Sequence, residues 1–212
     1  MRLTKLGHAS VRIEHDGGVL VLDPGVFTDR AALDGATAVL ITHEHADHYL
    51  PDHLAAVDAP VFTIDAVASK IRTDAPEVAE RTTTVAPGEV FSAGGLSITA
   101  VGEQHAIIHP ELPTFFNSGY LFEVDGTSIY HPGDALTGPG REVDILLAPA
   151  SAPWARASEL VDFMRTVKAP LNIAIHDRIY SDAGAGVLDM QAGAFLPKAG
   201  QEFKRLKDGE DL

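Results

Sequence analysis

The sequence predicts an α/β fold in which two β-sheets pack together with helices outside. Two observations carry this. Eleven short apolar or alternating segments, set off by turn residues, read as strands, and only four stretches have helical spacing. Each half also opens on hairpin-like strands and then alternates strand with helix. The first half reads as strands over Arg2–Leu6, Val11–Glu14 and Val19–Leu22, with Asp16-Gly17-Gly18 as a hairpin turn. A buried strand, Ala38–Ile41, precedes a helix over Pro51–Val57, where proline suits the first turn. A strand at Val61–Thr63, a helix at Ala66–Arg72 and a strand at Thr82–Val85 complete this half. The second half reads as strands over Leu96–Val101, Gly119–Val124 and Thr127–His131, the last two joined by Asp125-Gly126. Val143–Ala148, a helix at Ser158–Val167, a strand at Leu171–Ile175 and a helix at Val187–Leu196 follow. The polar end from Lys204 to Leu212 is expected to fray. No linker or low-complexity stretch divides the chain, so residues 1–212 read as one domain.

Composition narrows the function classes. No apolar run approaches the roughly 18–20 residues of a membrane span. The start, Met1 to Gly7, has no apolar stretch of signal-peptide length, and a cytoplasmic protein is expected. The 30 acidic residues outweigh 16 Lys and Arg, for a net charge of −14. Such a field repels phosphate backbones and anionic membranes, so neither nucleic acid nor membrane is expected as a partner. A small-molecule substrate is expected, and homo-oligomerisation stays open. There is no cysteine, so any metal site must use histidine and carboxylate. No serine-nucleophile elbow, phosphate loop or dinucleotide fingerprint competes with a metal centre.

The most informative run is Thr42-His43-Glu44-His45-Ala46-Asp47-His48, which puts three imidazoles and a carboxylate within six residues. These are the usual donors for zinc and similar divalent ions. The run follows the apolar stretch Ala38–Ile41, so the donors would stand at the end of a rigid strand. Alternate residues of an extended segment point the same way. His43 and His45 can thus face one ion, and the offset Asp47 and His48 can serve a second ion about 3.5–4 Å away. The His-Glu-x-x-His zincin signature is not met, because position 47 is Asp.

This His-x-His-x-Asp-His run resembles the signature of the metallo-β-lactamase superfamily. Four further segments match that family in order. Leu6-Gly7-His8-Ala9-Ser10 with Leu20-Val21-Leu22-Asp23-Pro24-Gly25 looks like the opening of the ascorbate-6-phosphate lactonase-like branch. Val101 to His105, then Ile129-Tyr130-His131-Pro132-Gly133-Asp134, then Leu171 to His176, match the segments that supply the remaining ligands. The resemblance covers about residues 6–180. It implies a four-layer αβ/βα sandwich with metals at one edge between the sheets. It also implies ligation by His43, His45 and His105 at one ion and by Asp47, His48 and His176 at the other, with Asp134 bridging. Zinc is the default, and manganese, iron and nickel suit the same donors.

Around that set, Asp23 is expected behind a ligating histidine, and His8 and His109 in the pocket. His15 and His53 read as surface residues. The Ala106–Asn117 loop with Phe115 and Phe116, and the Ala150–Ala157 segment around Trp154, read as pocket walls. The Gly-rich stretch Tyr180–Gly186 is a candidate for a loop that moves over the site. The implied activity is hydrolysis of a small ester, lactone or phosphoester by a hydroxide that two ions activate, with Asp47 and Asp134 as catalytic carboxylates. A nuclease of the same superfamily and a non-hydrolytic or redox metal protein are the alternatives. The net charge opposes the first, and His45 stands where the diiron oxygen reductases carry an acid.

Overall fold

A computed structural model describes all 212 residues. The first six strands form one sheet in chain order, β1 (Arg2–Leu6), β2 (Ser10–His15), β3 (Gly18–Leu22), β4 (Ala38–Leu40), β5 (Val61–Thr63) and β6 (Thr82–Thr84). The second sheet holds seven strands, β7 (Val90–Ala93), β8 (Leu96–Val101), β9 (Gly119–Val124), β10 (Thr127–His131), β11 (Ile145–Pro149), β12 (Leu171–Ile175) and β13 (Glu202–Lys204). Both sheets are mixed. Hairpin-linked strands pair antiparallel, as do β8 and β9 across the long 102–118 connection, and the other strands joined through longer connections pair parallel, as β4 with β5 and β11 with β12.

Side-chain alternation sorts the apolar residues into three clusters, which makes four layers. Leu20, Leu22 and Leu40 point between the sheets, where they meet Ile98, Tyr120, Phe122, Leu147 and Ile173. Val21, Val39 and Ile41, one residue out of phase, face outward. They pack there on Leu54 of α1 (Pro51–Ala55), Val67 and Ile71 of α2 (Asp65–Asp74), and Val78 of α3 (Pro76–Ala79). On the other outer face, Leu146 and Ala148 pack against Leu160, Phe163 and Met164 of α4 (Ala157–Val167) and Leu188 and Ala192 of α5 (Asp182–Phe195). The αβ/βα sandwich follows from burying both faces of both sheets. Each fully buried Leu or Phe contributes roughly 1.5–3 kcal/mol.

Several elements differ from the sequence reading. Strand β7 was not foreseen, although Gly94-Gly95, both at positive φ, make the two-residue turn that joins it to β8. β13 is polar, and only its parallel pairing with β12 reveals it. The helix α3 was also missed. Most of the Gly-rich stretch is helix instead of loop. Ser181 caps α5 by accepting from the Gly184 backbone N–H, so Gly184 and Gly186 lie in its first turns. The C-terminus does not fray. Leu212 N–H donates to the Leu3 carbonyl at 2.9 Å and Gly209 N–H to Lys5 at 2.8 Å, which covers the open edge of β1.

That tail also supplies a charge. Lys5 is only 2% exposed. Its ammonium donates to Asp177 at 2.9 Å, to Asp208 at 3.2 Å and to the Gly7 carbonyl. Removing one partner of a buried pair costs about 3–5 kcal/mol. Lys5→Met should therefore lower Tm by roughly 6–20 °C in a thermal melt, at about 2–4 °C per kcal/mol for a chain this long. An unchanged Tm would show that the pair contributes nothing.

Candidate metal centre

The titratable side chains converge at one edge of the sandwich, each from the C-terminal end of a strand or the loop that follows. His43, His45, Asp47 and His48 follow β4, and His8 lies between β1 and β2. From the second sheet come His105 after β8, Asp134 after β10 and His176 after β12. Hydrogen bonds join the sheets at this edge. Tyr120 Oη donates to the Ile41 carbonyl at 2.8 Å, and Ser118 N–H to the Thr42 carbonyl at 3.0 Å.

The donors fall into two groups. His43, His45, His105 and Asp134 form one, and His8, Asp47, His48 and His176 the other; within each, the donor atoms lie within 4.8 Å of one another. Asp134 lies between the groups. Its Oδ2 is 3.3 Å from His105 Nε2 and 3.0 Å from His176 Nε2, and its Oδ1 is 3.0 Å from His48 Nε2. All seven residues proposed as ligands on sequence grounds are therefore brought together.

Hydrogen bonding fixes where the histidine lone pairs point. The Nδ1–H of His48 donates to Asp23 at 2.8 Å, that of His105 to the Ala106 carbonyl at 2.5 Å, and that of His176 to the Ser151 carbonyl. Thr42 Oγ1 donates to Asp23 at 2.7 Å, so at 3.0 Å it accepts from His43 Nδ1. With Nδ1 protonated, each Nε2 carries a bare lone pair. Nε2 of His48, His105 and His176 and Oδ1 of Asp134 are buried without a hydrogen-bond partner. His43 Nε2 and His45 Nδ1 also face each other at 3.0 Å. Acceptors opposed at such distances require a shared cation or proton. The donor set, all nitrogen and carboxylate oxygen, fits zinc or a similar divalent ion.

His8 is different. Its Nδ1 accepts from the Arg178 N–H at 3.0 Å, so its proton resides on Nε2, 3.3 Å from Asp47 Oδ2. Burial pushes its pKa down to about 4 and keeps it neutral. His8 thus turns an N–H towards Asp47, outside hydrogen-bond geometry, and has no lone pair there for an ion. Asp23, buried at the base of the site, accepts from Thr42 N–H at 2.8 Å and from Thr42 Oγ1 as well as from His48. A carboxylate so placed fixes the orientation of the His48 ring.

The remaining sequence assignments divide. Phe115 stacks edge-on against His45 with ring centroids 4.6 Å apart. Trp154 Nε1 donates to Asp134 Oδ2 at 3.2 Å. His109 lies outside both groups, exposed on its loop, where Nδ1 accepts from the Glu111 N–H. His53 is not a surface residue; it is buried and bonded to the Pro24 carbonyl at 2.9 Å. His131 is also buried, bonded to the Ala9 carbonyl and the Gly133 N–H. Sequence reading placed Asn117 and Ser151 in pocket-wall segments without their roles: Asn117 Oδ1 accepts from the Asp134 N–H, and Ser151 grips both ends of His176. Neither sits in a motif that marks it.

Donor side chains from two sheets, gathered at one edge of an αβ/βα sandwich, define the metallo-β-lactamase class of fold. The family described as Beta-lactamase superfamily domain matches residues 2–176. The chain belongs to that superfamily. It is 36% identical over 193 residues to Protein Rv0786c of Mycobacterium tuberculosis, spanning 88% of this chain and 89% of that one. It is 31% identical over 150 residues to a UPF0173 metal-dependent hydrolase of Dinoroseobacter shibae, spanning 63% of each. Among solved structures, a putative metal-dependent hydrolase from Parabacteroides distasonis superposes with a TM-score of 0.78 at 21% identity, over 97% of this chain and 92% of that one.

Without a metal, protons occupy the Nε2 positions of His48 and His176. Burial opposes charge on His176, but Asp134 and Asp47 overcome it and hold its pKa up to about 9. Burial likewise opposes charge on His48, and Asp134 and Asp23 raise it well above the ordinary value. A raised imidazole pKa stabilises the fold below about 6.5, and that stability is lost as pH rises through about 9. The metal-free protein should therefore lose roughly 5–10 °C in Tm between pH 7 and pH 10. Zinc titrated at pH 7 should release protons, seen as a buffer-dependent heat in calorimetry. Metal uptake with no proton release would contradict this protonation pattern.

Proposed function

We propose that the protein is a dinuclear metal hydrolase acting on a small ester, lactone or phosphoester. The observation that carries this reading is Asp134, whose carboxylate faces ring nitrogens of both groups at 3.0–3.3 Å. In this assignment His43, His45 and His105 would hold one ion and Asp47, His48 and His176 the other, with Asp134 shared between the two groups. Two divalent ions in such a site lower the pKa of water towards neutrality and polarise the bond to be cleaved. Zinc is the ion we favour for the nitrogen-rich donor set.

The chain's own residues do the positioning. Asp23 and Thr42 hold His48 and His43 in the tautomers that bare Nε2. Trp154 and the backbone N–H of Asp134, held by Asn117, fix the carboxylate that spans the groups. His8 aims Asp47, whose pKa is depressed by His176 and His8 against the effect of burial. Asp47 therefore stays ionised, able to ligate and to orient the attacking water. Phe115 and Trp154, packed over His45, His105 and His176, limit solvent access from the loop side.

Elemental analysis after reconstitution should approach two ions per chain. Asp134→Ala should lose most of the metal and at least about a hundredfold in kcat/KM, whereas His109→Ala should keep its metal. One tightly held ion with His176 free would overturn the dinuclear assignment. His8→Leu should keep both ions while activity falls about 10–100-fold, the usual cost of losing a partner that orients a ligand. Metal loss equal to that of His48→Leu would instead make His8 a ligand.

We also propose that no nucleic acid binds. In the one basic cluster, Arg205 is paired with Asp189 and Asp177 and Lys204 with Glu202. Labelled single-stranded RNA at about 0.15 M salt should show no micromolar binding. Salt-sensitive micromolar affinity would favour a nuclease.

A further inference from the structure

Exposed apolar side chains stand on the loops that carry or brace the donors of the metal centre. Of the twelve large apolar residues left exposed on this chain, six belong to the loops that carry or brace the donors: Val26, Phe27, Ile107, Leu112, Phe116 and Ile179. Each is tied to the site. Val26 N–H donates to the Ala46 carbonyl, inside the His43–His48 run, and the Phe27 ring meets the His8 ring edge-on at 5.3 Å. Ile107 and Leu112 share the loop that follows His105. Ile179, three residues after His176, donates its N–H to Ser151. Ile107 is 73% exposed and Phe116 58%. Folding gains nothing from apolar surface left in water, so a clustered set at a site marks a binding surface.

A cavity of about 540 Å³ abuts this rim, with Phe116 in its wall. Ile64, Val85 and Pro87 supply further apolar surface, and Asp65 and Glu103 are its only charged lining residues. It shares structure with the metal centre. The segments Glu103–His105 and Phe115–Asn117 pair through His105 N–H to the Phe115 carbonyl and Asn117 N–H to the Glu103 carbonyl. Asn117 lines the cavity and also holds the Asp134 backbone. A ligand spanning both would lay one end against the donors and the other against Phe116.

The charges discriminate among substrates. A phosphate group lying beyond the reach of the ions needs cationic side chains of its own. Lys5 and Arg178, which back the His8 and His176 segments, are already paired with Asp177 and Asp208, and Arg205 with Asp177 and Asp189. The cavity itself offers only carboxylates. We infer that the substrate is an uncharged ester or lactone bearing an apolar acyl or alkyl group, which the Phe116 cavity takes while the carbonyl lies at the metal centre. This rests on the hydrolase reading above and narrows it away from phosphoesters.

The test uses the full chain loaded with zinc. kcat/KM is measured for p-nitrophenyl esters from acetate to octanoate and for p-nitrophenyl phosphate. Octanamide, a poor substrate of the same shape, reports binding by calorimetry without turnover. The expected result is a rise of about three- to fourfold per methylene, with the phosphate inert. Phe116→Ala should flatten the series and weaken octanamide binding at least tenfold, and Phe116→Leu should restore most of both. A flat ester series, or turnover of the phosphate alone, would overturn the inference and leave the hydrolase reading standing. No turnover of any substrate with two ions bound would overturn the hydrolase reading itself. Octanamide binding that Phe116→Ala leaves unchanged would overturn the cavity assignment, whatever the turnover. Sedimentation with neutral phosphatidylcholine vesicles that Phe27→Ala abolishes would make the rim a lipid-docking surface instead, and would also overturn it.

Discussion

A buried carboxylate held among bare imidazole nitrogens is the constraint on which the rest of the structure depends. Asp134 is 2% exposed and faces Nε2 of His48, His105 and His176. Left unneutralised in a low-dielectric interior, this cluster would cost several kcal/mol. Asp47 and Asp23 add to the negative charge around it. Protons on His48 and His176 offset part of that charge, which is why both hold their protons well above the ordinary imidazole range. Two divalent ions would bring four positive charges against these three carboxylates, leaving the centre slightly positive and receptive to an anionic nucleophile. The electrostatics that make the site costly to fold are those that suit it to bind metal.

The backbone is shaped to the same end. Asp23 and His176 are non-glycine residues in the left-handed region, at φ 44° and 49°, a conformation that costs on the order of 1–3 kcal/mol and persists only where surroundings over-determine it. They do so here. His176 N–H donates to the His8 carbonyl, its own carbonyl accepts from Ser151 N–H and Oγ, and its ring is held by the Ser151 carbonyl. Gly25 shows the same pressure. A Cβ there would lie 2.1 Å from the Asp47 carbonyl carbon, so only glycine lets the loop after β3 lie under the His43–His48 run.

The central layers of this fold were legible from local chemistry, because buried strands announce themselves by alternation and by turn residues. Leu20-Val21-Leu22 divides its side chains between two cores as the pattern requires. What escaped is what pairing decides. β13 has no apolar signature, and the terminal residues 208–212 look like a polar tail until the open edge of β1 is seen to need partners. The donors were legible because ligand chemistry concentrates rare residue types. Their orientation was not. The reversed tautomer of His8 depends on an N–H from Arg178, 170 residues away in sequence. His53 and His131 turned out to be buried hydrogen-bonding residues for similar reasons, each satisfied by a backbone group that no motif reports.

The site is also divided between the two halves of the molecule, and this has an energetic consequence. The first sheet contributes His8, Asp23 and the His43–His48 run, and the second His105, Asp134, Trp154 and His176. Each group contains donors from both. Neither sheet can assemble a complete group alone, so ions bound there would engage only the closed sandwich. Binding of that kind stabilises by mass action, about 4 kcal/mol at a thousandfold excess over Kd. The apolar core between the sheets and the metal centre at their edge thus select one arrangement of the two sheets, the core by area buried and the edge by the position of single atoms. The apolar rim lies on the loops that this edge organises, so the surface offered to substrate is set by the same closure that completes the centre.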